Sequence, residues 1–387
     1  MEVQILQSLE TVDSAQWDSM VSPDDPFFEH AFLAGLESSA CVGPPETGWS
    51  PRHIILRDSG ELVAAMPLYE KTHSYGEFIF DWAWADGSHR AGIPYYPKLV
   101  GAIPFTPVSG TRMLVAPGRD IKEMRKALAV AAVDLAESLG AMSIHLLFLS
   151  SGERDLLEEC GWLGRSTHQY HWARGSDWLR FDDYLAAMRS RHRKQVRRER
   201  REAAGHDLTF AMKSGVDLCE EEWHALWRFY LSTISRKWST PYLNQRFFKA
   251  LRETISDRIA ASFAYRAGKP VAGSLFFTRG DGLYGRYWGS VEPLEFLHFE
   301  LCYYLPIEWA LENGITRFET GAQGEHKIKR GFLPEECCSA HWFRHPAMML
   351  GVQGFLRDER NRSAHMRESL EAYSPYRERP IMKAPDS

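Results

Sequence analysis

The chain has 387 residues, of which 44% are hydrophobic and 13% aromatic, and its formal net charge is −5. This length exceeds what one ordinary hydrophobic core supports and suits two α/β lobes. The apolar content excludes a disordered chain. The negative charge excludes a protein that attracts nucleic acid through its overall field, so any contact with a polyanion must be local.

The N-terminus, the apolar runs and the cysteines bear on the cellular compartment. Residues 1–17 contain early acids and lack a basic stretch followed by an apolar core, which argues against a signal peptide. The apolar run 127–135 is interrupted by Asp134 and is too short to span a bilayer. The six cysteines are scattered, with no CxxC and no metal-ligand spacing. We expect a cytoplasmic protein with no transmembrane segment and no metal site.

The first half of the chain carries strand and helix patterns around one long insertion. Residues 88–118, the insertion, are rich in Pro, Gly and Tyr. Hydrophobic periodicity predicts strands at 53–57, 62–70, 78–84 and 143–149, a helix at 120–139 and a short helix up to Cys160.

The second half repeats that order after two further helices. A single basic helix is predicted at 182–204 and another helix at 218–234. Next, Gly268 marks a hairpin, Gly314 ends a helix, and Pro306 must kink or divide that helix. The predicted elements are strands at 259–266, 271–279, 283–289, 315–320 and 339–344, a helix at 297–313 and a short helix at 325–330.

Two blocks of sequence recur with identical spacing. GWL at 161–163 and HWAR at 171–174 match GFL at 331–333 and HWFR at 341–344. In each copy a hairpin, a third strand, a crossover helix and a further strand describe a mixed sheet. We therefore predict a duplicated α/β fold with an N-terminal lobe at 1–180, a basic helix and linker at 181–205, and a C-terminal lobe with a C-terminal helix at 206–387.

This order of elements, used twice, resembles the GNAT acyltransferase fold in tandem. The runs 191–201, 236–243, 284–289, 298–304 and 319–327 resemble a bacterial family of FemAB-like GNAT proteins labelled peptidoglycan biosynthesis or recognition. The related Fem ligases transfer amino acids from aminoacyl-tRNA to the amine of a cell-wall precursor. Their long antiparallel helical arm has no full counterpart here. The resemblance implies an acyltransferase, and peptidoglycan enters only through the family label.

The segment 319–330 concentrates the candidate catalytic residues. It follows a predicted strand and precedes a short helix, the place where α/β sheets hold ligands. Amine attack on an ester or thioester needs a base, for which Glu325 and His326 are candidates, and Glu319 is expected to orient one of them or the amine. The expected substrate contacts are Gln323, Lys327 and Arg330, the last two as clamps for a phosphate or carboxylate. The alternative is a charged loop with an acid at a helix N-terminus.

Two further stretches are predicted to contact substrate. Arg286 and Trp288 alternate with Tyr287 along a strand, so they are expected to share one face. Near 236–243, Lys237, Trp238 and Tyr242 could hold a substrate by stacking and charge, although helix capping explains them equally well.

The loop 290–298 bears on the acyl donor. CoA-dependent GNAT enzymes hold the pyrophosphate in a glycine-rich loop at the N-terminus of the crossover helix. Here that loop has no glycine, contains Pro293, and carries Glu292 and Glu295. This disfavours acyl-CoA held in that way and favours a donor held differently, such as aminoacyl-tRNA. No bound cofactor is predicted beyond the donor itself.

The basic helix favours the same donor. Its cations form a local positively charged surface that suits an RNA backbone or a lipid-phosphate surface. The alternative is a solvated helix that faces acids elsewhere in the chain. The residues expected to contact nucleic acid are Arg193, Lys194, Arg197, Arg198, Arg200 and Arg201.

Three functions remain open from the sequence. The first is aminoacyl transfer from aminoacyl-tRNA to an amine acceptor, with peripheral contact to a membrane-bound precursor. The second is an acyl-CoA-dependent N-acetyltransferase. The third is a non-catalytic protein that binds RNA or an envelope precursor.

Overall fold

The computed structural model describes residues 1–236, 240–321, 324–378 and 380. Its strands, in chain order, are β1 (Glu2–Leu6), β2 (Trp49–Pro51), β3 (His53–Asp58), β4 (Glu61–Met66), β5 (Tyr69–Lys71), β6 (Lys98–Gly101), β7 (Leu114–Val115), β8 (Ser143–Leu149), β9 (Leu163–Ala173), β10 (Thr209–Ser214), β11 (Ile259–Arg266), β12 (Lys269–Arg279), β13 (Gly282–Ser290), β14 (Arg317–Glu319) and β15 (Leu333–Phe343).

The helices follow the same numbering along the chain. A π-helical turn, Glu300–Tyr304, joins α10 to α11, and short 3-10 helices include Glu325–Arg330. The α-helices are α1 (Ser14–Asp18), α2 (His30–Ser38), α3 (Trp82–Arg90), α4 (Ile121–Leu139), α5 (Ser151–Glu159), α6 (Phe181–Ala187), α7 (Ser190–Ala204), α8 (Glu220–Arg236), α9 (Gln245–Thr254), α10 (Leu297–Phe299), α11 (Leu305–Glu312) and α12 (Pro346–Glu371).

The chain forms two compact units, each built from two stretches of sequence. The first combines residues 1–168 with 336–366, and the second combines 169–335 with the residues from 367 onward. These boundaries differ from the contiguous lobes predicted at 1–180 and 206–387. The last strand of each repeat crosses the boundary, because β9 starts in the first unit and β15 starts in the second. Most of the C-terminal helix α12 lies in the first unit.

In the first unit, α4 packs against the antiparallel sheet β1-β3-β4-β7. The same unit pairs β15 with β8 and, in parallel, β8 with β6. Two expectations fail here. The predicted strand 78–84 is absent, since Phe78 has a φ of 62° and α3 starts at Trp82. The predicted strand 62–70 divides into β4 and β5 around Pro67, which has no N–H to donate to a ladder.

In the second unit the strands run in the order β10-β11-β12-β13-β14-β9. All neighbours are antiparallel except β13 and β14, which are parallel and joined by the crossover helix. Pro306 lies in the first turn of α11, directly after the π-helical turn, so its predicted division of the helix is confirmed. The basic helix predicted at 182–204 is two helices, because Met188 between α6 and α7 is extended.

Within the part of the chain that the structure describes, no helix is long and apolar enough to cross a membrane.

Candidate functional site

The segment from Glu319 to Arg330 turns sharply after β14. Gly321 and Gly324 have φ values of 82° and 116°, which residues with a Cβ rarely adopt. A Cβ on Gly324 would lie 2.6 Å from Cε1 of His326. The two glycines therefore allow the chain to fold back and place the 3-10 helix at the end of the strand. Gln323, predicted to contact substrate, lies outside the described residues.

His326 is exposed and is held by the π-helical turn. Its Nε2 lies 3.0 Å from the hydroxyl of Tyr303, and its ring lies 6.0 Å from that of Phe299. Burial, with the charges of Arg330 and Lys327, lowers the pKa of His326, while burial raises the pKa of Tyr303. The imidazole is therefore neutral at neutral pH and the phenol is protonated. When Nε2–H donates to Tyr303, Nδ1 is left able to accept a proton.

Glu319 is 2% exposed at the end of β14. Neither carboxylate oxygen has a hydrogen-bond partner among the described residues. Nε2 of His171 and Nε of Arg317 each lie 3.7 Å from the carboxylate, and His171 is its register partner on β9. Burial lowers the pKa of His171, which the charge of Glu319 opposes. Glu319 thus offers a buried acceptor; Glu325, the other predicted acid, is exposed at the start of the 3-10 helix.

Lys327 is buried, and its Nζ donates to the carbonyl oxygens of Thr320, at 3.0 Å, and Gly321, at 2.7 Å. Burial lowers its pKa to about 7. The nearby Cys302 has its pKa raised to about 12 by burial, so it is a neutral thiol and supplies no counter-charge. In this conformation the two hydrogen bonds of Lys327 stabilise the turn after β14. Its predicted role in binding a substrate phosphate or carboxylate stays a prediction.

Arg330 is also buried. One guanidinium nitrogen donates to both oxygens of Glu199, at 2.9 and 2.8 Å, and another donates to the carbonyl of His326 at 2.8 Å. Its guanidinium lies 3.3 Å from the ring centroid of Phe299. The predicted substrate clamp is thus engaged inside the protein, and its carboxylate partner comes from the basic helix. Glu199 could have been found from sequence, because it lies three residues from Val196 and four from Ala203, on the buried face of α7.

The strands beside this segment separate. β13 and β14 pair in register only from Gly282 to Tyr284, while β13 continues to Ser290. On its other side β13 has a bulge against β12, where the register skips Arg286. The backbone after Tyr284 thus leaves β14 at the point where Glu319 and the segment after it begin.

The bulge changes where Arg286 lies. Strict alternation predicts that Arg286 and Trp288 share a face. Instead the guanidinium of Arg286 lies 5.4 Å from the ring centroid of Tyr287, whereas the Trp288 ring lies 4.8 Å from that of His298 at the crossover helix. The prediction of a shared face is wrong because the extra residue interrupts the period of two.

The basic helix α7 has an engaged side and an open side. Arg200 donates to both oxygens of Glu300 and to Glu308, and its guanidinium lies 4.5 Å from the Phe181 ring. Among the described residues, Arg197 and Arg198 make longer, exposed ion pairs with Asp182 and Glu202, and Arg198 also lies 5.8 Å from the ring centroid of Phe296. The residues that remain on the open side are Arg193, Lys194, Arg197, Arg198 and Arg201.

The loop 290–298 is described in full and the stretch 236–243 in part. In the loop, Glu292 forms a 2.8 Å ion pair with Arg266, and Phe296 has a φ of 59°. In the other stretch, the backbone N–H of Tyr242 donates to the hydroxyl of Tyr230 at 3.0 Å. Lys237 and Trp238, both predicted to contact substrate, lie outside the described residues.

The matching region of the first copy has a different chemistry. Ser150 caps α5, and the buried carboxylate of Glu153 accepts from the backbone N–H groups of Arg112 and Met113 at 2.9 and 2.8 Å. No imidazole takes the place of His326 in that stretch. The candidate site therefore lies in the second unit.

Comparison with known proteins places these features in a family. The model of FemAB-like proteins, described as peptidoglycan biosynthesis/recognition, matches residues 8–378. The chain belongs to the FemAB-like family. A search of curated proteins finds no significant match.

Solved structures support the fold predicted for this FemAB-like protein. FemX aligns with a TM-score of 0.55 at 13% identity, over 91% of this chain and 100% of FemX. The C-terminal domain of a putative lysylphosphatidylglycerol synthetase from Agrobacterium fabrum aligns with a TM-score of 0.54 at 10% identity, over 88% of this chain and 94% of that domain. The prediction of a tandem GNAT-type α/β fold with mixed sheets is confirmed.

Proposed function

We propose that this FemAB-like protein transfers an aminoacyl group from aminoacyl-tRNA to the amine of a cell-wall precursor or another small amine. The observation that carries the proposal is His326, an exposed neutral imidazole hydrogen-bonded to Tyr303 on the 3-10 helix that follows β14. An exposed base of depressed pKa at the end of a strand suits removal of a proton from an attacking amine.

The proposed reaction needs a single base, His326, for its proton transfers. The acceptor ammonium first loses a proton to solvent, and the free amine nitrogen attacks the ester carbonyl carbon of the donor. A C–N bond forms, and His326 takes a proton from the nitrogen. The C–O ester bond then breaks, and the same proton passes to the leaving ribose oxygen. The products are an amide and a tRNA with a free hydroxyl, and His326 returns to its neutral form.

Glu319 and Lys327 are buried side chains of the same segment, and each has a supporting role in the proposed reaction. The buried carboxylate of Glu319 has no hydrogen-bond donor among the described residues, and it suits the ammonium group of an amino acid or acceptor. Lys327 donates to the carbonyls of Thr320 and Gly321 and so fixes the chain directly after β14. Positioning of the two reactants is expected to supply much of the rate.

The choice of donor rests on two features of the second unit. The open side of α7 offers exposed cations to an RNA backbone. The loop 290–298 offers no glycine, and its Glu292 is committed to Arg266. A pyrophosphate cradle of the kind that serves acyl-CoA is therefore not supported by that loop.

The test compares binding and transfer in one preparation. Affinity for acetyl-CoA and for bulk aminoacyl-tRNA is measured at two salt concentrations, and single-turnover transfer is followed with an amine acceptor. We expect salt-sensitive tRNA binding in the wild type and loss of transfer, but not of binding, in His326→Gln. Lys269→Ala, which removes an exposed cation from the β11–β12 turn, is the matched control.

Two results would redirect the proposal. Saturable acetyl-CoA binding without retention of tRNA would replace it with an N-acetyltransferase. Full biological activity in a Glu325→Gln, His326→Gln double variant would replace it with a non-catalytic binding protein.

A further inference from the structure

A groove of about 370 Å³ lies between α8 and α9 in the second unit, and the candidate active site does not use it. Three aromatic rings line it: Trp223, Trp227 and Phe248. Three cations from one helix also line it: Arg246, Lys249 and Arg252.

Trp227 provides the accessible ring of this groove. Trp223 and Phe248 are buried, whereas Trp227 is half-buried. Its ring lies 5.2 Å from that of Phe248, edge to face, and 5.6 Å from that of Tyr230. The aromatic neighbours hold the indole in place while leaving part of it open. A fixed, partly open indole is a stacking surface for a planar ring.

The cations of α9 recur every three residues, so they follow one side of the helix. Arg246 and Lys249 flank Phe248 on the chain, and Phe248 contacts Trp227. Lys249 has a 3.6 Å ion pair with Glu253, but both side chains are more than half exposed, which makes the pair weak. Arg246 and Arg252 form no ion pair with any described residue. Glu220 and Glu253 also line the groove, so its lining carries three cations and two acids.

We propose that this groove binds a nucleoside monophosphate unit, with the base stacked on Trp227 and the phosphate on Arg246 and Lys249. A planar ring joined to a phosphate matches an aromatic surface flanked by two cations. The unit is either a free mononucleotide or one nucleotide of a single-stranded RNA. This inference does not rest on the proposed aminoacyl transfer.

The groove is connected to the loop predicted to contact substrate. The hydroxyl of Tyr230 accepts hydrogen bonds from the N–H groups of Tyr242 and Leu243, at 3.0 and 3.1 Å. The ring of Tyr230 also lies 5.1 Å from that of Tyr287 on β13. Trp227, on which the ligand would stack, packs against Tyr230 and so against the aromatic cluster that supports this loop.

Binding of AMP, adenosine, inorganic phosphate and a labelled single-stranded oligoadenylate to the full chain tests the proposal. We expect AMP or the oligoadenylate to bind saturably, and adenosine and phosphate to bind more weakly. Trp227→Ala should weaken binding roughly tenfold, as loss of one stacked base does. Arg246→Ala with Lys249→Ala should weaken it and lower its salt dependence. Lys269→Ala, an exposed cation outside the groove, should leave it unchanged.

Each outcome of these binding measurements either supports the proposed nucleotide site or overturns it. Saturable AMP binding assigns the groove to free nucleotides, and binding of the oligoadenylate alone assigns it to RNA. The proposal is overturned if neither probe binds, or if both groove variants bind as the wild type does. It also fails if inorganic phosphate binds as tightly as AMP. Arg246 and Lys249 are exposed, so their double variant keeps the test valid if Trp227→Ala fails to fold.

Discussion

Arg330 and Glu199 form a buried ion pair in which one guanidinium nitrogen contacts both carboxylate oxygens, and both side chains are at most 4% exposed. Tyr304 and Gln195 also donate to this carboxylate. The pair ties the end of the 3-10 helix that carries His326 to the helix that carries the basic surface. The ion pair therefore holds the segment that carries His326 against α7.

Removing one partner of this pair should destabilise the protein strongly. Arg330→Met leaves the Glu199 carboxylate buried without its cation, a change that costs on the order of 3–5 kcal/mol. Urea unfolding measures the loss. Combining Arg330→Met with Glu199→Gln should recover much of it, because no uncompensated charge is then buried. A loss below about 1 kcal/mol in the single variant would show that the pair does not support the segment.

Lys327 should give the protein a stability that rises with pH. Its folded pKa is about 7 and the ordinary value is 10.5. Between these values the unfolded chain binds more protons than the folded one, so the free energy of unfolding rises as pH increases. Lys327→Met should lower that slope by up to about 1.4 kcal/mol per pH unit. Unfolding at pH 7, 8 and 9 measures it, with Lys269→Met as the exposed-lysine control; equal slopes in all three proteins would contradict the expectation.

The elements that sequence located well are those with a strong local signal. Strand β8 and helix α4 follow continuous hydrophobic patterns with clear ends, such as the capping Asp120. The predicted strand 78–84 was wrong because Trp82 begins a helix whose aromatic residues carry no strand-specific period. The exchange of β9 and β15 between the units could not be predicted, because strand partners depend on tertiary contacts that one copy of a repeat does not encode.

The candidate site was located by composition, while the state of each side chain required the structure. Sequence brought Glu319, His326, Lys327 and Arg330 together because they are close along the chain. It did not indicate that Lys327 and Arg330 point inward, since burial is set by the π-helical turn and by Glu199, which is distant in sequence. The same long-range contacts remove Arg200 from the open basic surface.

The open side of α7 should control the salt dependence of RNA binding. Arg193→Ala, Arg197→Ala and Arg201→Ala should each lower the slope of log affinity against log salt by about 0.7 if they contact phosphate. Arg200→Ala should instead lower the melting temperature, because it leaves the buried Glu300 without its partner. Titration of tRNA at several salt concentrations, with thermal unfolding of each variant, separates the two effects. Equal slopes in the three surface variants and the wild type would assign RNA binding elsewhere.

The first unit should lose stability in mild acid through a buried histidine pair. His145 and His341 face each other with their Nδ1 atoms 2.7 Å apart. Burial lowers the pKa of both well below 6.5. As pH falls below 6.5 the unfolded chain takes up protons that the folded chain does not, so the free energy of unfolding decreases.

This loss should reach about 1.4 kcal/mol per pH unit for each histidine. Urea unfolding from pH 7.5 to 5 measures it in the wild type and in a His145→Gln, His341→Gln double variant. The double variant should have the shallower dependence on pH, whatever its absolute stability. A dependence as steep as that of the wild type would show that other groups cause the acid loss.

His326 should set the acid limb of the transfer rate. Burial and the charges of Arg330 and Lys327 lower its pKa, so the neutral base is present at neutral pH and is lost only below the ordinary range near 6.5. With an acceptor whose amine is already unprotonated throughout the pH range, the single-turnover rate should therefore be flat from pH 7 to 8 and fall as pH decreases below the pKa of His326. His326→Gln should lower the rate by roughly 10²–10⁴-fold and remove this limb, because glutamine cannot accept the proton. Tyr303→Phe keeps the ring but removes the hydroxyl, so it should shift the limb without abolishing it. An unchanged limb in His326→Gln would assign the base to another residue, and Glu325→Gln is then the variant to measure.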